Sequence, residues 1–129
     1  MTRKEIFTEK GAVPKGAYSQ AIVADGPMAY VSGQGPVDPV TGEFRLGSIG
    51  EQAKLVFDNI ATLLEEAGTS WADVVRVGIF LADLSDFAEM NALYETYLTK
   101  PYPARTTVQA GLPAGMLIEV DCIAVVPKE

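Results

Sequence analysis

The sequence predicts an α+β domain: a single mixed β-sheet with two helices packed on one face. Three observations lead there. The chain has 129 residues, the length of one domain, so residues 1–129 are read as a single unit. Two segments repeat apolar residues at three- and four-residue spacing. Five or six others are short and rich in β-branched residues, in the order ββ(β)αβαββ. Hydrophobic residues make up 48% of the chain and charged residues 21%, too apolar for disorder. Two amphipathic helices and this many strands pack most simply as two layers.

The first third reads as strands at residues 4–8, 18–24 and 28–33. Asp25-Gly26-Pro27 punctuates the last two, which predicts a hairpin between them. The density of Gly, Pro and Asp over 35–47 predicts a long loop, briefly extended at 44–46. Ser48-Ile49-Gly50-Glu51 fits a capping box, in which side chain and backbone of Ser48 and Glu51 satisfy each other, so a helix starts there. Ala53, Val56, Phe57, Ile60, Leu63, Leu64 and Ala67 form its apolar stripe, and Gly68 closes it. Residues 70–73 (Ser-Trp-Ala-Asp) read as a capped turn, and 74–82 as a strand buried on both faces. Asp86, with Glu89 three positions on, is expected to cap a second helix whose stripe is Phe87, Met90, Tyr94 and Tyr97; Pro101 and Pro103 end it. Two further strands, 105–110 and 116–126, are joined by Gly111-Leu112-Pro113-Ala114-Gly115.

Composition removes several chemistries. The chain has no His, so imidazole is absent as general base, proton shuttle or metal ligand, and neither a Ser-His-Asp nor a Cys-His nucleophile can form within it. The single cysteine, Cys122, can make no intramolecular disulfide and no thiolate zinc site. No metal or cofactor is expected. The net charge of −7 argues against nucleic acid, which is held through basic faces. The longest apolar run, residues 74–82, is broken by Arg76 and falls far short of the roughly 20 residues of a membrane span. The opening MTRKEIFTEKG carries no apolar stretch of signal-peptide length, so a cytoplasmic location is expected, or an organelle after loss of a targeting segment.

Strand alternation suggests where a site lies. In the last strand Met116, Ile118, Val120, Cys122 and Ala124 fall on one face, and Leu117, Glu119, Asp121, Ile123 and Val125 on the other. In its expected partner, Thr106, Val108 and Ala110 form the inner set, leaving Arg105, Thr107 and Gln109 outward. Setting Ala110 opposite Met116 puts Thr107 opposite Glu119 and Arg105 opposite Asp121. The outer face then carries one cation, two carboxylates and the aliphatics Leu117, Ile123 and Val125, and no third helix covers it, so a partner subunit is expected. Arg105 has two readings: a cross-strand ion pair with Asp121, or a donor fork for a small anionic substrate at a subunit boundary. Cys122, on the inner face, reads as core.

The motifs Tyr18-Ser19-Gln20, Tyr30-Val31-Ser32-Gly33-Gln34, residues 83–94 (DLSDFAEMNALY), Pro103-Ala104-Arg105 and residues 118–125 (IEVDCIAV) stand in an order that resembles the RidA/YjgF family of reactive intermediate imine deaminases along nearly the whole chain. The resemblance implies a chorismate-mutase-like fold and a homotrimer whose sheets face a central barrel, with three ligand clefts between subunits. It implies hydrolysis of 2-imino acids such as 2-iminobutanoate and 2-iminopropanoate to 2-oxo acids and ammonia, without metal or organic cofactor. Carried over by motif, Arg105 would bind the substrate carboxylate and Glu119 would orient or activate the attacking water, while Tyr18, Ser32, Asn91 and Thr107 would line the cleft. Asn91 sits on or beside the second helix's apolar stripe, where its amide needs a polar partner. The chain departs from the family pattern at Ala17, usually proline, at Gly35, often aliphatic, and at Thr107, often cysteine, where a backbone carbonyl could still hold water.

Other functions use the same residues. A non-enzymatic ligand-binding or chaperone-like trimer would use the same cleft, and a specialised deaminase would act on an aminoacrylate- or aminomuconate-like substrate. An endoribonuclease or translation inhibitor, the family's older description, would need phosphate-binding cations and acid-base groups that a His-free, acidic chain lacks.

Overall fold

The computed structural model describes residues 3–128. Its elements run β1 (Arg3–Ile6), β2 (Ala21–Ala24), β3 (Met28–Gln34), α1 (Ile49–Glu66), β4 (Val74–Leu81), α2 (Phe87–Thr96), β5 (Ala104–Gln109) and β6 (Ile118–Val125). The α+β architecture is the expected one, two helices against one face of a mixed sheet. That sheet holds four strands in the order β3-β6-β4-β5, and β1 and β2 pair with each other as a separate antiparallel ribbon. The hairpin expected over 18–33 does not form, since β2 turns back onto β1 while β3 enters the main sheet beside β6.

Helix α1 forms as its sequence dictates. Ser48 Oγ accepts from the Glu51 N–H at 3.2 Å and Glu51 Oε1 accepts from the Ser48 N–H at 2.9 Å, so two otherwise orphaned donors are satisfied. Gly68, with φ +84°, ends it in the left-handed region that a side chain disfavours. Its Ala53, Val56, Phe57, Ile60 and Leu64 are fully buried, while Leu63 and Ala67 of the expected stripe face solvent. Gln52 is buried too. Its Nε2 donates to the carbonyls of Gly47 and Gly115, and its Oε1 accepts from the Leu117 N–H at 2.8 Å, which fastens the entry of β6 to the helix.

The capping expected further on is different. Ser70 makes no side-chain cap on the turn Trp71–Asp73, and Asp86 makes none on α2. Instead Asp83 accepts from the Ser85 N–H at 2.8 Å and starts a single 3-10 turn that leads into α2. Met90 and Tyr94 are the fully buried members of its stripe.

The last two strands are not neighbours. β6 inserts between β3 and β4, antiparallel to both, and β5 lies outside β4, parallel to it. A parallel pair needs a crossover, and α2 supplies it, so β4, α2 and β5 form one strand-helix-strand unit. This register reverses the expected phase of β5. Arg105 lies beside Val77, and Val77 beside Cys122; Thr107 lies beside Ile79, and Ile79 beside Val120. Arg105 and Thr107 therefore project from the helix-covered face, while Thr106 and Val108 point the other way and are exposed. The physical reason is that β5 is an edge strand, where an arginine stem and guanidinium can pack on the flank of α2 and still reach water.

The opposite face has no helix over it. It carries Glu119 and Asp121 with Phe80 and Ile123 half-buried, Arg76 and Val108 exposed, and Tyr30 at 75% exposure. An uncovered apolar face exists as expected, but its residues differ. Val125 is fully buried within the chain and Leu117 packs against the core, so Tyr30, Phe80, Val108 and Ile123 supply the open apolar surface. β4 is covered on its helix side by Val77, Ile79 and Leu81, whereas Arg76 remains exposed on the other, so it is not buried on both faces.

Candidate functional site

The crossover places one side chain in an unusual setting. The Arg105 guanidinium carbon lies 5.0 Å from the ring centre of Tyr94, 5.4 Å from Phe87 and 5.9 Å from Tyr18. Phe87, Asn91 and Tyr94 stand at i, i+4 and i+7 of α2, so one helix face presents two rings and an amide to the same cation. Arg105 Nη1 donates to Asn91 Oδ1 at 2.5 Å, and Asn91 Nδ2 donates onward to Glu95 Oε2 at 3.3 Å, which fixes the orientation of the amide. The polar partner that the Asn91 amide needs is thus the arginine itself.

Among the described residues no carboxylate lies within ion-pair distance of Arg105, and its other N–H groups have no protein acceptor. Partial burial disfavours the charged form and lowers its pKa, opposed by the Tyr94, Tyr18 and Glu95 side chains. Each ring contributes about 0.5–2 kcal/mol of cation–π attraction, enough to hold the guanidinium without neutralising it. A half-buried arginine fork that is held but not paired has the donors and the charge to receive an anion. Tyr94 is fully buried, and burial raises its pKa well above the ordinary phenol range, so it serves by its neutral ring face; its hydroxyl has no hydrogen-bond partner. Thr107 follows on the same strand and face, its Oγ1 likewise buried without a partner.

Tyr18, Asn91, Arg105 and Thr107 are therefore gathered on the helix side of the sheet. Ser32 and Glu119 are not with them. Glu119 projects from the open face, with Phe80 as its β4 neighbour, and Asp121 lies beside Gly78 on that same face. Arg105 shares a face with neither acid, so the common face expected for all three, and the cross-strand pair with Asp121, are both ruled out by the phase of β5. Ser32 and Gly33 form a bulge in β3, two residues set against Asp121. The Glu119 carboxylate occupies the space that a Cβ at Gly33 would need, so this glycine clears room for the acid.

Two features of the site escaped the sequence reading. Phe87 and Tyr94 look like core because they belong to an apolar stripe; the signal was the amide of Asn91 set between them. Gly33 reads as a turn or spacing residue until the register brings Glu119 over it. Gly35, where the family pattern favours an aliphatic residue, faces Met116 and Phe44, and a Cβ there would stand 3.0 Å from Met116 Cε. Cys122 is buried on the inner face, and burial pushes its thiol up to about 12, so it is inert core as expected.

A larger hollow of about 740 Å³ lies between residues 41–47 and α1, lined by none of these side chains. Most of its charges are already engaged, Arg45 with Asp38, Lys54 with Asp58 and Glu51 with Ser48, which leaves Glu43. Among the described residues no cluster of His, Cys, Asp and Glu could hold a metal ion, and no helix is long and apolar enough to cross a membrane.

Residues 8–126 match the family described as endoribonuclease L-PSP. A RutC family protein of Pyrococcus abyssi is 50% identical over 96% of this chain and 98% of its own length. The 2-iminobutanoate/2-iminopropanoate deaminase of Rattus norvegicus is 42% identical over 95% of this chain and 90% of its own. The solved structure of RidA from the Antarctic bacterium Psychrobacter sp. superposes with a TM-score of 0.73 at 44% identity, over 95% of this chain and 99% of that one.

Proposed function

The chain belongs to the RidA/YjgF family, that of endoribonuclease L-PSP, and from that premise we propose that it hydrolyses small 2-imino acids to 2-oxo acids and ammonia at a site shared between subunits. The observation that carries the reading is Arg105, boxed by three rings and tied to Asn91 yet without a carboxylate partner. A substrate carboxylate supplies the missing charge, with two parallel N–H···O bonds from the fork. The deaminase name belongs to relatives such as the rat protein, and it agrees with this chemistry.

In the reaction, water adds across the C=N bond. Its oxygen bonds to C2, a proton reaches the nitrogen, and the C–N bond of the carbinolamine then breaks to release ammonia and leave the 2-oxo acid. The protein has two tasks, to fix the carboxylate and to hold one water, and proximity supplies large effects in such a case. Glu119 can accept the water's proton, but it stands on the other side of its own sheet from Arg105. Glu119 of the partner subunit resolves this: the open face, with its exposed Tyr30 and half-buried Phe80 and Ile123, packs against a second copy, so that one chain's Arg105 meets the other's Ser32, Gly33 and Glu119. Closure of that contact by rotation gives the proposed homotrimer, with a 2-imino or 2-oxo acid as its ligand and no membrane or nucleic-acid partner. A cytoplasmic location suits that role.

The family's description as an endoribonuclease finds little support here, since the chain has no His and a net charge of −7. The test is ammonia release from 2-iminopropanoate generated in situ, with buffer hydrolysis subtracted. Release above buffer supports the deaminase; ligand binding without release points to the non-enzymatic binding trimer.

A further inference from the structure

In the motif Tyr18-Ser19-Gln20 the tyrosine walls the cation box, while its two neighbours bond elsewhere. The other two walls, Phe87 and Tyr94, belong to α2, whose backbone fixes them. Tyr18 has no such support. It lies in the 7–20 connection between β1 and β2, which contains no helix or strand. The backbone entropy lost on fixing a loop residue is of the same order as one cation–π contact, so the ring stays on the arginine only where the segment is fastened by other bonds.

Two side chains supply the fastening. Gln20 uses both amide protons and a lone pair: Oε1 accepts from the Thr8 N–H at 2.8 Å, and Nε2 donates to the carbonyls of Thr8 at 3.0 Å and Ala12 at 2.7 Å, which closes residues 8–20 into a loop. Ser19 is buried, and it gives its hydroxyl proton to the Tyr102 carbonyl and its N–H to the Pro103 carbonyl at 3.1 Å. Tyr102 and Pro103 stand immediately before β5, the strand that carries Arg105. The serine thus binds the loop to the root of the arginine's own strand, and the residue before it comes to rest against the guanidinium. Within the loop, the Tyr18 N–H donates to the Gly16 carbonyl at 2.9 Å and its Oη accepts from the Lys15 N–H at 3.3 Å, so the side chain is held at both ends. A Cβ at Gly16 would stand 3.9 Å from Arg105 Nη2, so the loop backbone also comes up to the arginine.

We propose that Ser19 and Gln20 are positioning residues of the Arg105 site, acting on the bound carboxylate through Tyr18. The proposal rests on the reading of Arg105 as the carboxylate anchor. Loss of either fastening frees the loop and takes the Tyr18 ring off the guanidinium. A cation with two walls in place of three is less preorganised, and its fork meets a carboxylate squarely for less of the time. Fastenings with a merely structural role would lower the unfolding temperature when removed and leave affinity where it was.

The test is calorimetric titration of pyruvate into the full chain and into Gln20→Leu, Ser19→Ala, Tyr18→Leu, Arg105→Lys and the two double variants that join Tyr18→Leu to either fastening change. Gln20→Leu, Ser19→Ala and Tyr18→Leu should each weaken binding about fivefold, within the range of one cation–π contact. Because the fastenings act through the ring, neither double should bind more weakly than Tyr18→Leu alone, whereas independent effects would multiply to about twenty-five-fold. The two fastenings are separate, so either variant carries the test where the other does not fold. Wild-type affinity in a folded fastening variant, or multiplied losses in a double, would overturn the positioning role while leaving the anchor standing. Pyruvate binding unaffected by Arg105→Lys would overturn the anchor and the positioning role with it.

Discussion

The two faces of the four-stranded sheet were prepared for different tasks. On the helix side, Arg105 is surrounded: three aromatic rings, one amide, and the edge of α2 hold a cation in one place. On the open side, Glu119 is merely accommodated, in space left by Gly33, among apolar side chains that no described element of this chain covers. A preorganised cation and an acid awaiting company cannot act together within one chain, because the sheet separates them. The difference teaches why the proposed site needs two copies: on that reading each chain would carry two complementary halves, and assembly would join half of one copy to half of another.

Perturbing each half separates the roles, and the largest effect is expected on the open side. Glu119→Gln removes the proton acceptor, so turnover should fall by roughly 10²–10⁴ while binding of pyruvate stays near wild type. Steady-state ammonia release alongside calorimetry reads both quantities. On the helix side, Arg105→Lys replaces the fork by a point charge, and pyruvate binding should weaken by about 1.5–3 kcal/mol with the fold retained by circular dichroism. A structural arginine would lose no more than about 1 kcal/mol of stability and leave binding intact.

Gly33→Ala sharpens the contrast further. The added methyl collides with the Glu119 carboxylate and not with Arg105, so turnover should drop and pyruvate binding should survive. Phe87→Leu removes one ring from the box, and its expected cost is about 1 kcal/mol in pyruvate affinity, several-fold in Kd, with recovery in Phe87→Tyr. The smallest effect is that of Cys122→Ala, a core void worth on the order of 1 kcal/mol of stability with catalysis unchanged; thermal unfolding with an activity assay checks it.

Local signals differ in how far they carry, since the capping box that opens α1 forms while the caps expected at Ser70 and Asp86 do not. The capping box at Ser48 and Glu51 and the stripe of α1 depend on neighbours three and four residues apart, and both formed as written. Pairing partners depend on the whole chain. β5 and β6 are joined by a loop of turn residues and looked like a hairpin, but α2 between β4 and β5 makes a parallel crossover, and β6 fills the gap between β3 and β4. That choice set the phase of β5 and with it the face of Arg105. Apolar alternation points to the wrong face of this strand because Val108 is exposed at the sheet edge while the arginine is half-buried under aromatics. Of the residues that motif placed in one cleft, Arg105, Asn91 and Tyr18 do lie together, whereas Ser32 and Glu119 lie away from them across the sheet, a separation that motif order does not encode.

The direct test of a site divided between chains is complementation. Arg105→Lys and Glu119→Gln proteins are each purified, mixed in equal amounts, dissociated and reassembled, and assayed for ammonia release from 2-iminopropanoate. Where one chain's Arg105 meets the partner subunit's Glu119, every mixed trimer contains one intact site, and random assortment should restore about a quarter of wild-type activity. Reassembled mixtures no more active than the two variants assayed separately would contradict the account, and would place all of the chemistry within one chain.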